Sequence, residues 1–193
     1  MSKKILLIGD SIRLGYCAEV RELLSGRFEV CYPAENCRSS QNILCSLAGW
    51  SHLCDPAETV LVLFNCGHWD AAHFNQDPEP LTSLGEYEKN LRSIVRQLRK
   101  LFPAARLTFL TTTPMNPNNV AGSNPRTNED IRRYNETAKR VMDNEGVSVL
   151  DLYALAAGWP SPLFRDYCHL VPEGYHRLAE RIAGYVSTLF PNN

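Results

Sequence analysis

Hydrophobic positions follow two alternating patterns along this chain. Short apolar runs rich in branched residues are typical of buried strands, and apolar residues at helical spacing are typical of helices packed on one side. Five runs predict strands, at residues 5–8, 27–32, 59–64, 106–113 and 147–150. Helical patterns predict helices at residues 19–24, 41–49, 83–102, 128–145, 151–157 and 172–190.

Strands and helices alternate five times, with no internal repeat and no linker long enough to divide the chain. This alternation predicts a five-stranded parallel sheet with helices on both faces, a three-layer α/β/α sandwich. We therefore predict a single domain over residues 1–193. Ligands of such folds bind where the carboxyl ends of the strands meet, so residues that directly follow strands are the first candidates for a site.

Composition narrows the function classes. The chain is 44% hydrophobic and 21% charged with a net charge of −1, so no general field attracts it to nucleic acid or to an anionic membrane. Its apolar runs are too short to cross a bilayer, and the first lacks the length of a signal peptide. We predict a cytoplasmic protein without nucleic-acid or membrane partners, and the sequence leaves its oligomeric state open.

The seven cysteines are odd in number, scattered, and never spaced as Cys-x-x-Cys. Free thiols in a reducing compartment fit this pattern better than a disulfide framework. Cys66 and His68 are zinc-ligand types close together, but they lack a second pair of ligands, which makes a weak case. We predict neither a metal nor an organic cofactor.

Ser11 follows the first predicted strand and the turn residues Gly9 and Asp10. At that edge of a sheet, a serine can present its oxygen to a substrate. A serine in this position more commonly caps a helix, here one beginning near Ile12. The segment alone leaves both interpretations open.

Asp166 and His169 lie just before Pro172, which fits the first turn of the last helix. Three residues apart in a turn, the carboxylate can accept the Nδ1 proton of the imidazole and leave Nε2 as a base. A weakly nucleophilic serine needs such a base. An isolated Asp-x-x-His is more often a pair of solvent-facing residues, so this motif also leaves two interpretations.

Taken together, Gly9-Asp10-Ser11, Asp166-x-x-His169 and the five βα units resemble the SGNH/GDSL hydrolase superfamily over nearly the whole chain. The resemblance implies a flavodoxin-like strand order of 2-1-3-4-5. It also implies hydrolysis of a small-molecule acyl ester without a cofactor. In that chemistry Ser11 attacks the acyl carbonyl, His169 moves the proton, and Asp166 orients the imidazole.

The family's oxyanion hole is less well matched. The family supplies it from the serine N–H, a glycine after the second strand, and the asparagine of a Gly-x-Asn-Asp segment. Here residues 36–39 contain no glycine, and Trp69 stands where the asparagine is expected. We assign Ser11, Cys37, Arg38 and Asn65 to the hole. Asn65 is either a displaced donor or a structural amide at the strand end, and backbone N–H groups with His68 are the other possibility.

Further residues near this edge are assigned to substrate binding: Asp10, Arg38, Gly67, His68 and Trp69. Arg38 could bind a sugar hydroxyl or a carboxylate, or remain a solvated group. The ring of Trp69 suits a sugar or an acyl chain, or packs a loop. Residues 115–126 predict a surface loop, and Arg126 at its end either holds that loop or contacts substrate.

The function predicted from the sequence is hydrolysis of a short acyl ester, with acetyl on a carbohydrate hydroxyl as the favoured substrate. One alternative is a lysophospholipase or thioesterase, for which the sequence offers no long apolar loop. The other is a carbohydrate-binding protein that keeps the fold but lacks a competent oxyanion hole. Trp69 favours that second alternative, and Ser11, Asp166 and His169 argue against it.

Overall fold

A parallel sheet lies at the centre of the molecule. The computed structural model describes residues 3–118 and 122–191. All strand pairs are parallel and the order is β2-β1-β3-β4-β5, as predicted. The strands are β1 (Lys3–Ile8), β2 (Phe28–Cys31), β3 (Thr59–Phe64), β4 (Arg106–Leu110) and β5 (Ser148–Leu150).

The helices are divided between the two faces of the sheet. They are α1 (Ser11–Leu23), α2 (Ser40–Trp50), α3 (Leu84–Leu101), α4 (Asn128–Asn144), α5 (Leu152–Ala156) and α6 (Pro172–Leu189). Successive side chains of a strand point to opposite faces. In β1, Ile5 and Leu7 therefore pack with α1, α5 and α6, whereas Leu6 and Ile8 pack with α2, α3 and α4. This arrangement is the predicted three-layer sandwich.

The first helix is longer than predicted. It begins at Ser11 instead of near residue 19, because the Asp10 side chain accepts a hydrogen bond from the Ile12 N–H and caps it. The apolar pattern misses these first turns because Arg13, a charged residue, is fully buried on the inner face. Most other helix boundaries agree with the prediction to within two residues.

The region after β4 also differs from the prediction. The strand ends at Leu110, because the Thr112 N–H leaves the sheet and donates to the side chain of Asn135 in α4. Met115 and Asn116 are buried, so the first part of the predicted surface loop belongs to the interior. The tip of that loop, residues 119–121, lies outside the described residues.

Two further predictions concern the whole chain. The seven cysteines are all free thiols, as the sequence pattern suggested. In the described ranges, none of the helices combines the length and the apolar character that crossing a bilayer requires.

Candidate active site

Ser11, His169 and Asp166 form a continuous chain of hydrogen bonds. Ser11 Oγ lies 2.8 Å from His169 Nε2. On the other side of the ring, His169 Nδ1 lies 2.9 Å and 3.0 Å from the two carboxylate oxygens of Asp166. The structure thus brings together three residues from opposite ends of the chain.

The position of Ser11 is fixed by the turn before α1. Asn65 Oδ1 accepts a hydrogen bond from the Asp10 N–H at 3.3 Å, and Asp10 Oδ1 accepts one from the Ile12 N–H at 3.0 Å. Asp10 is therefore the helix cap, and Ser11 is the first residue of α1. The alternative interpretation of Ser11 as a cap is wrong, and its hydroxyl remains available to His169.

Close packing of α1 against α6 brings His169 to Ser11. A Cβ atom on Gly15 would lie 2.1 Å from a ring carbon of Tyr175, so only glycine allows the two helices to approach this closely. Pro172 begins α6. His169 lies just before this helix and is thereby placed beside the start of α1.

The Asp166–His169 turn is held on both sides. Asp166 Oδ1 accepts hydrogen bonds from the backbone N–H groups of Cys168 (3.0 Å) and His169 (2.8 Å). The buried side chain of Asn116, which the sequence analysis did not select, donates to the Asp166 carbonyl at 3.1 Å. Its only sequence signal is a polar residue shortly after β4. The turn is rigidly built, as an orienting carboxylate requires.

Hydrogen bonding keeps Asp166 ionised. Partial burial acts to raise the pKa of Asp166, but the N–H groups of Cys168 and His169 and the imidazole outweigh it and lower the pKa below its usual value. An ionised carboxylate only accepts hydrogen bonds, so the proton of the neutral imidazole lies on Nδ1. His169 Nε2 is then free to accept the proton of Ser11.

Two of the residues assigned to the oxyanion hole use their N–H groups internally. The Cys37 N–H donates to the Gly9 carbonyl at 3.1 Å. The Arg38 N–H donates to Asn36 Oδ1 at 2.8 Å. Arg38 has φ +56°, a left-handed conformation that favours glycine. It therefore adopts a glycine-type backbone at the place where the family has a glycine.

A buried arginine joins this loop to the turn before Ser11. Arg13 is fully buried, and its guanidinium donates to the carbonyls of Pro33 (2.7 Å), Glu35 (2.6 Å) and Gly9 (3.3 Å). Sequence reasoning missed it, because an arginine two residues after Ser11 suggests an exposed helix position. It fixes the loop after β2 against the turn before Ser11.

The Gly67-His68-Trp69-Asp70 segment has separate structural roles. Gly67 has φ +149°, and a Cβ there would lie 2.2 Å from Thr112 Oγ1, so the close approach requires glycine. Asp70 accepts hydrogen bonds from the Ser40 N–H at 3.1 Å and from its hydroxyl at 2.5 Å. Burial raises the pKa of Asp70 to about 6, against the lowering effect of these bonds. Asp70 thus anchors the start of α2.

His68 is buried and neutral. Burial, with the nearby Arg126 charge, holds the pKa of His68 well below its usual value. Arg126 Nε donates to His68 Nδ1 at 3.3 Å, so the ring proton lies on Nε2 and is directed at Thr113 Oγ1, also 3.3 Å away. His68 and Asn65 line a separate space of about 10 Å³, not the cavity that Ser11 opens into.

Ser11 and His169 open into a cavity of about 150 Å³, called here the Ser11 cavity. Its wall is formed by Ser11, Asn36, Trp69, Phe74, Asn124, Arg126, Tyr167 and His169. Of the five residues assigned to substrate binding, Trp69 alone is in the wall among the residues that the structure describes. Its ring lies 5.3 Å from that of Phe74 and 5.7 Å from the Arg38 guanidinium.

Two loops form the far side of the Ser11 cavity. The His73 N–H donates to the Pro125 carbonyl at 3.0 Å, and the Asn75 N–H donates to Asn124 Oδ1 at 3.3 Å. These bonds hold Phe74 and Asn124 in the wall. The sequence analysis selected neither residue, because their placement depends on contacts between distant loops.

Three potential metal ligands also lie near this site. Asp166, Cys168 and His169 place a carboxylate oxygen, a thiol and an imidazole nitrogen within 4.8 Å of one another. Asp166 and His169 already bond to each other and to Ser11. Burial raises the pKa of the Cys168 thiol to about 12, which keeps it protonated and a poor metal ligand.

Comparison with known proteins identifies the family of this chain. The sequence model of the GDSL-like Lipase/Acylhydrolase family matches residues 7–177, which include Ser11, Asp166 and His169. The chain belongs to this family.

Curated relatives share moderate identity with the chain. A GDSL esterase/lipase WDL1 of Oryza sativa subsp. japonica is 30% identical over 133 residues, which are 64% of this chain and 51% of that protein. The human isoamyl acetate-hydrolyzing esterase 1 homolog is 27% identical over 190 residues, which are 89% of this chain and 76% of that protein. The chain thus spans about half the length of the plant relative.

Among solved structures, the family fold recurs at lower identity. Est24, a carbohydrate acetylesterase from Sinorhizobium meliloti, superposes with a TM-score of 0.74 at 17% identity. The match covers 98% of this chain and 100% of that one. At this identity the likeness establishes the shared fold.

Proposed function

We propose that this protein hydrolyses short-chain acyl esters, with Ser11 as nucleophile, His169 as general acid and base, and Asp166 as the orienting carboxylate. The observation that carries the proposal is the unbroken hydrogen-bond chain from Ser11 Oγ through His169 to Asp166. A serine hydroxyl is weakly nucleophilic on its own, and an oriented imidazole makes it reactive.

In the proposed reaction, Ser11 Oγ attacks the acyl carbon while His169 Nε2 takes the hydroxyl proton. The carbonyl π electrons move onto oxygen and form a tetrahedral oxyanion. When the C=O bond re-forms, the ester C–O bond breaks and His169 Nε2 returns its proton to the leaving alcohol. Water, deprotonated by the same nitrogen, then attacks the acyl carbon. The bond between that carbon and Ser11 Oγ breaks, His169 Nε2 returns the proton to Ser11 Oγ, and the carboxylic acid leaves.

Acetyl esters of carbohydrates are the proposed substrates. The Ser11 cavity of about 150 Å³ lies below the roughly 300 Å³ at which pockets for drug-sized ligands begin, which favours a small acyl group. The exposed parts of Trp69 and Tyr167 offer aromatic faces to a sugar ring. Est24 is described as a carbohydrate acetylesterase and the human relative as an isoamyl acetate-hydrolyzing esterase homolog, which supports an acetyl group here.

The test is hydrolysis of p-nitrophenyl esters from acetate to octanoate and of acetylated xylo-oligosaccharides. We expect turnover that falls with chain length and drops by about 10⁴-fold or more in the Ser11→Ala variant. Exposed Ser25→Ala is the matched control and should retain wild-type rates. Activity that survives Ser11→Ala would exclude the serine mechanism, and activity that rises toward octanoate would exclude the short-acyl substrate.

A further inference from the structure

Two of the backbone donors expected in the oxyanion hole are occupied elsewhere. The N–H groups of Cys37 and Arg38 bond to Gly9 and Asn36. The oxygen of the Asn65 amide accepts from Asp10, and Asn65 lines the separate space beside His68 and not the Ser11 cavity. The Ser11 N–H belongs to the first turn of α1, where N–H groups have no partner within the helix. One backbone donor remains where the reaction needs two or three.

Arg126 is the cation in the described wall of the Ser11 cavity, which it shares with Ser11 and His169. A guanidinium carries five N–H donors. Three of these are used: Nε toward His68, one terminal nitrogen toward the Asn124 carbonyl (3.2 Å), and the other toward Cys168 Sγ (3.6 Å). Each terminal nitrogen therefore keeps one N–H.

The charge of Arg126 is not neutralised by a direct ion pair. Within residues 3–118 and 122–191, no carboxylate oxygen lies within 4.0 Å of its nitrogens. The half-buried guanidinium lies 5.2 Å above the ring of Tyr167, and neutral His68 holds its Nε. A cation fixed in this way needs no rearrangement when negative charge develops nearby, which is the condition for electrostatic catalysis.

We propose that Arg126, together with the Ser11 N–H, stabilises the oxyanion of the tetrahedral intermediate. This inference rests on the proposed ester hydrolysis at the same site. As Ser11 Oγ bonds to the acyl carbon, the carbonyl oxygen gains the π electron pair and its negative charge meets the free N–H groups of Arg126. Arg126 thus takes the role that Trp69 cannot perform at the family's asparagine position, and Asn65 positions the nucleophile turn.

The test compares Arg126→Ala and Arg126→Lys with Asn65→Ala on p-nitrophenyl acetate. Loss of an oxyanion donor lowers kcat by about 10²- to 10³-fold, so we expect that loss in Arg126→Ala with little change in KM. Arg126→Lys keeps the positive charge but lacks the planar set of N–H donors, so its kcat should lie between those of the wild type and Arg126→Ala. Asn65→Ala should lose less than Arg126→Ala. Exposed Arg96→Gln controls for removal of a positive charge.

Rescue separates a direct role of Arg126 from a structural one. Guanidinium chloride at tens of millimolar should restore at least about a tenth of the lost kcat in Arg126→Ala, because the ion can enter the vacated space. It should not restore Asn65→Ala or Ser11→Ala. Thermal unfolding of each variant verifies that it is folded. If Arg126→Ala is not folded, Arg126→Lys is compared with the wild type instead.

Three results would overturn this role. One is a loss in Asn65→Ala that equals or exceeds the loss in Arg126→Ala. Another is an Arg126→Ala defect confined to esters that carry a carboxylate, which would make Arg126 a substrate-binding group. The third is unchanged kcat in both Arg126 variants. If the wild type hydrolyses no ester, or if Ser11→Ala remains active, the proposed function itself fails and this role fails with it.

Discussion

The two sides of the Ser11 cavity are built in different ways. On one side, Ser11, His169 and Asp166 come from two short motifs, and each points to the next member of the hydrogen-bond chain. On the other side, the loops after β2 and β3 use polar groups to hold the scaffold: the Cys37 N–H donates to the Gly9 carbonyl, and Asp70 accepts from Ser40.

This difference shows that motif spacing determines which side chains meet, whereas packing determines which backbone N–H groups face the cavity. Asp166 and His169 lie three residues apart, so a single turn suffices to place the carboxylate beside the imidazole. Whether an N–H group faces the cavity depends on every other acceptor within reach, because buried polar groups find partners wherever they can. A loop that matches a family by position can therefore have its donors engaged in holding the scaffold.

The largest expected effect comes from the side of the cavity that follows the family motif. Asp166→Asn leaves one oxygen to accept the two backbone N–H groups and turns an amide N–H₂ toward His169 Nδ1. The imidazole proton then moves to Nε2, which can no longer accept the proton of Ser11. We expect kcat on p-nitrophenyl acetate to fall by about 10⁴-fold, with KM little changed.

Glu173→Gln is the matched control for this experiment. It removes one carboxylate close in the sequence to Asp166, and Glu173 pairs with Arg177 on the exposed surface of α6. Its activity should stay near that of the wild type. An Asp166→Asn variant that keeps more than a tenth of the wild-type kcat would show that the carboxylate does not orient the imidazole.

The next effect lies on the opposite side and concerns stability. Asp70 has a pKa of about 6 in the folded protein, against 3.8 ordinarily, so the folded state holds its proton more tightly than the unfolded state. The stabilisation from that proton is complete below pH 3.8 and is lost as the pH rises through 6. At about 1.4 kcal/mol per pKa unit, the loss is about 3 kcal/mol.

Asp70→Asn removes this titration and keeps an oxygen for Ser40. Between pH 4 and pH 7, the free energy of unfolding of the wild type, measured with urea, should fall relative to that of the variant by about 2 kcal/mol, because part of the loss has already occurred at pH 4. Asp143→Asn, on the exposed surface of α4, provides the comparison for a surface carboxylate. A constant difference between wild type and Asp70→Asn across this range would contradict the assigned pKa.

Much of the fold could be predicted because hydrophobic spacing is a local property. Five apolar runs gave the five strands, and the strand order followed from the family resemblance. The start of α1 could not be predicted from that pattern, since buried Arg13 counts as polar although its guanidinium is satisfied by three backbone carbonyls. The pattern detects apolar side chains, and here a charged one lies in the interior.

The same distinction holds for the residues of the candidate site. Ser11, Asp166 and His169 stand in motifs at element boundaries, so their side chains could be selected from the sequence. The free N–H groups of Arg126 could not, because they depend on contacts with His68 and Asn124 across two loops. Asn116 escaped notice for the same reason, since its partner is the backbone of Asp166, fifty residues away.

The smallest expected effect concerns the backbone of Arg38. Its φ of +56° is a conformation that costs residues with a Cβ atom about 1 kcal/mol relative to glycine. Arg38→Gly and Arg38→Ala both remove the guanidinium that lies over Trp69, so the two variants differ mainly in the backbone.

Glycine also gains freedom in the unfolded chain, which offsets part of the stability gained from removing the backbone strain. Urea unfolding should nevertheless find Arg38→Gly more stable than Arg38→Ala by about 0.5–1 kcal/mol. Equal stabilities, or a more stable alanine variant, would mean that the loop relaxes into an ordinary backbone conformation once the arginine is gone. In that case this chain would have neither the glycine-type backbone after β2 nor the asparagine that the family uses in its oxyanion hole.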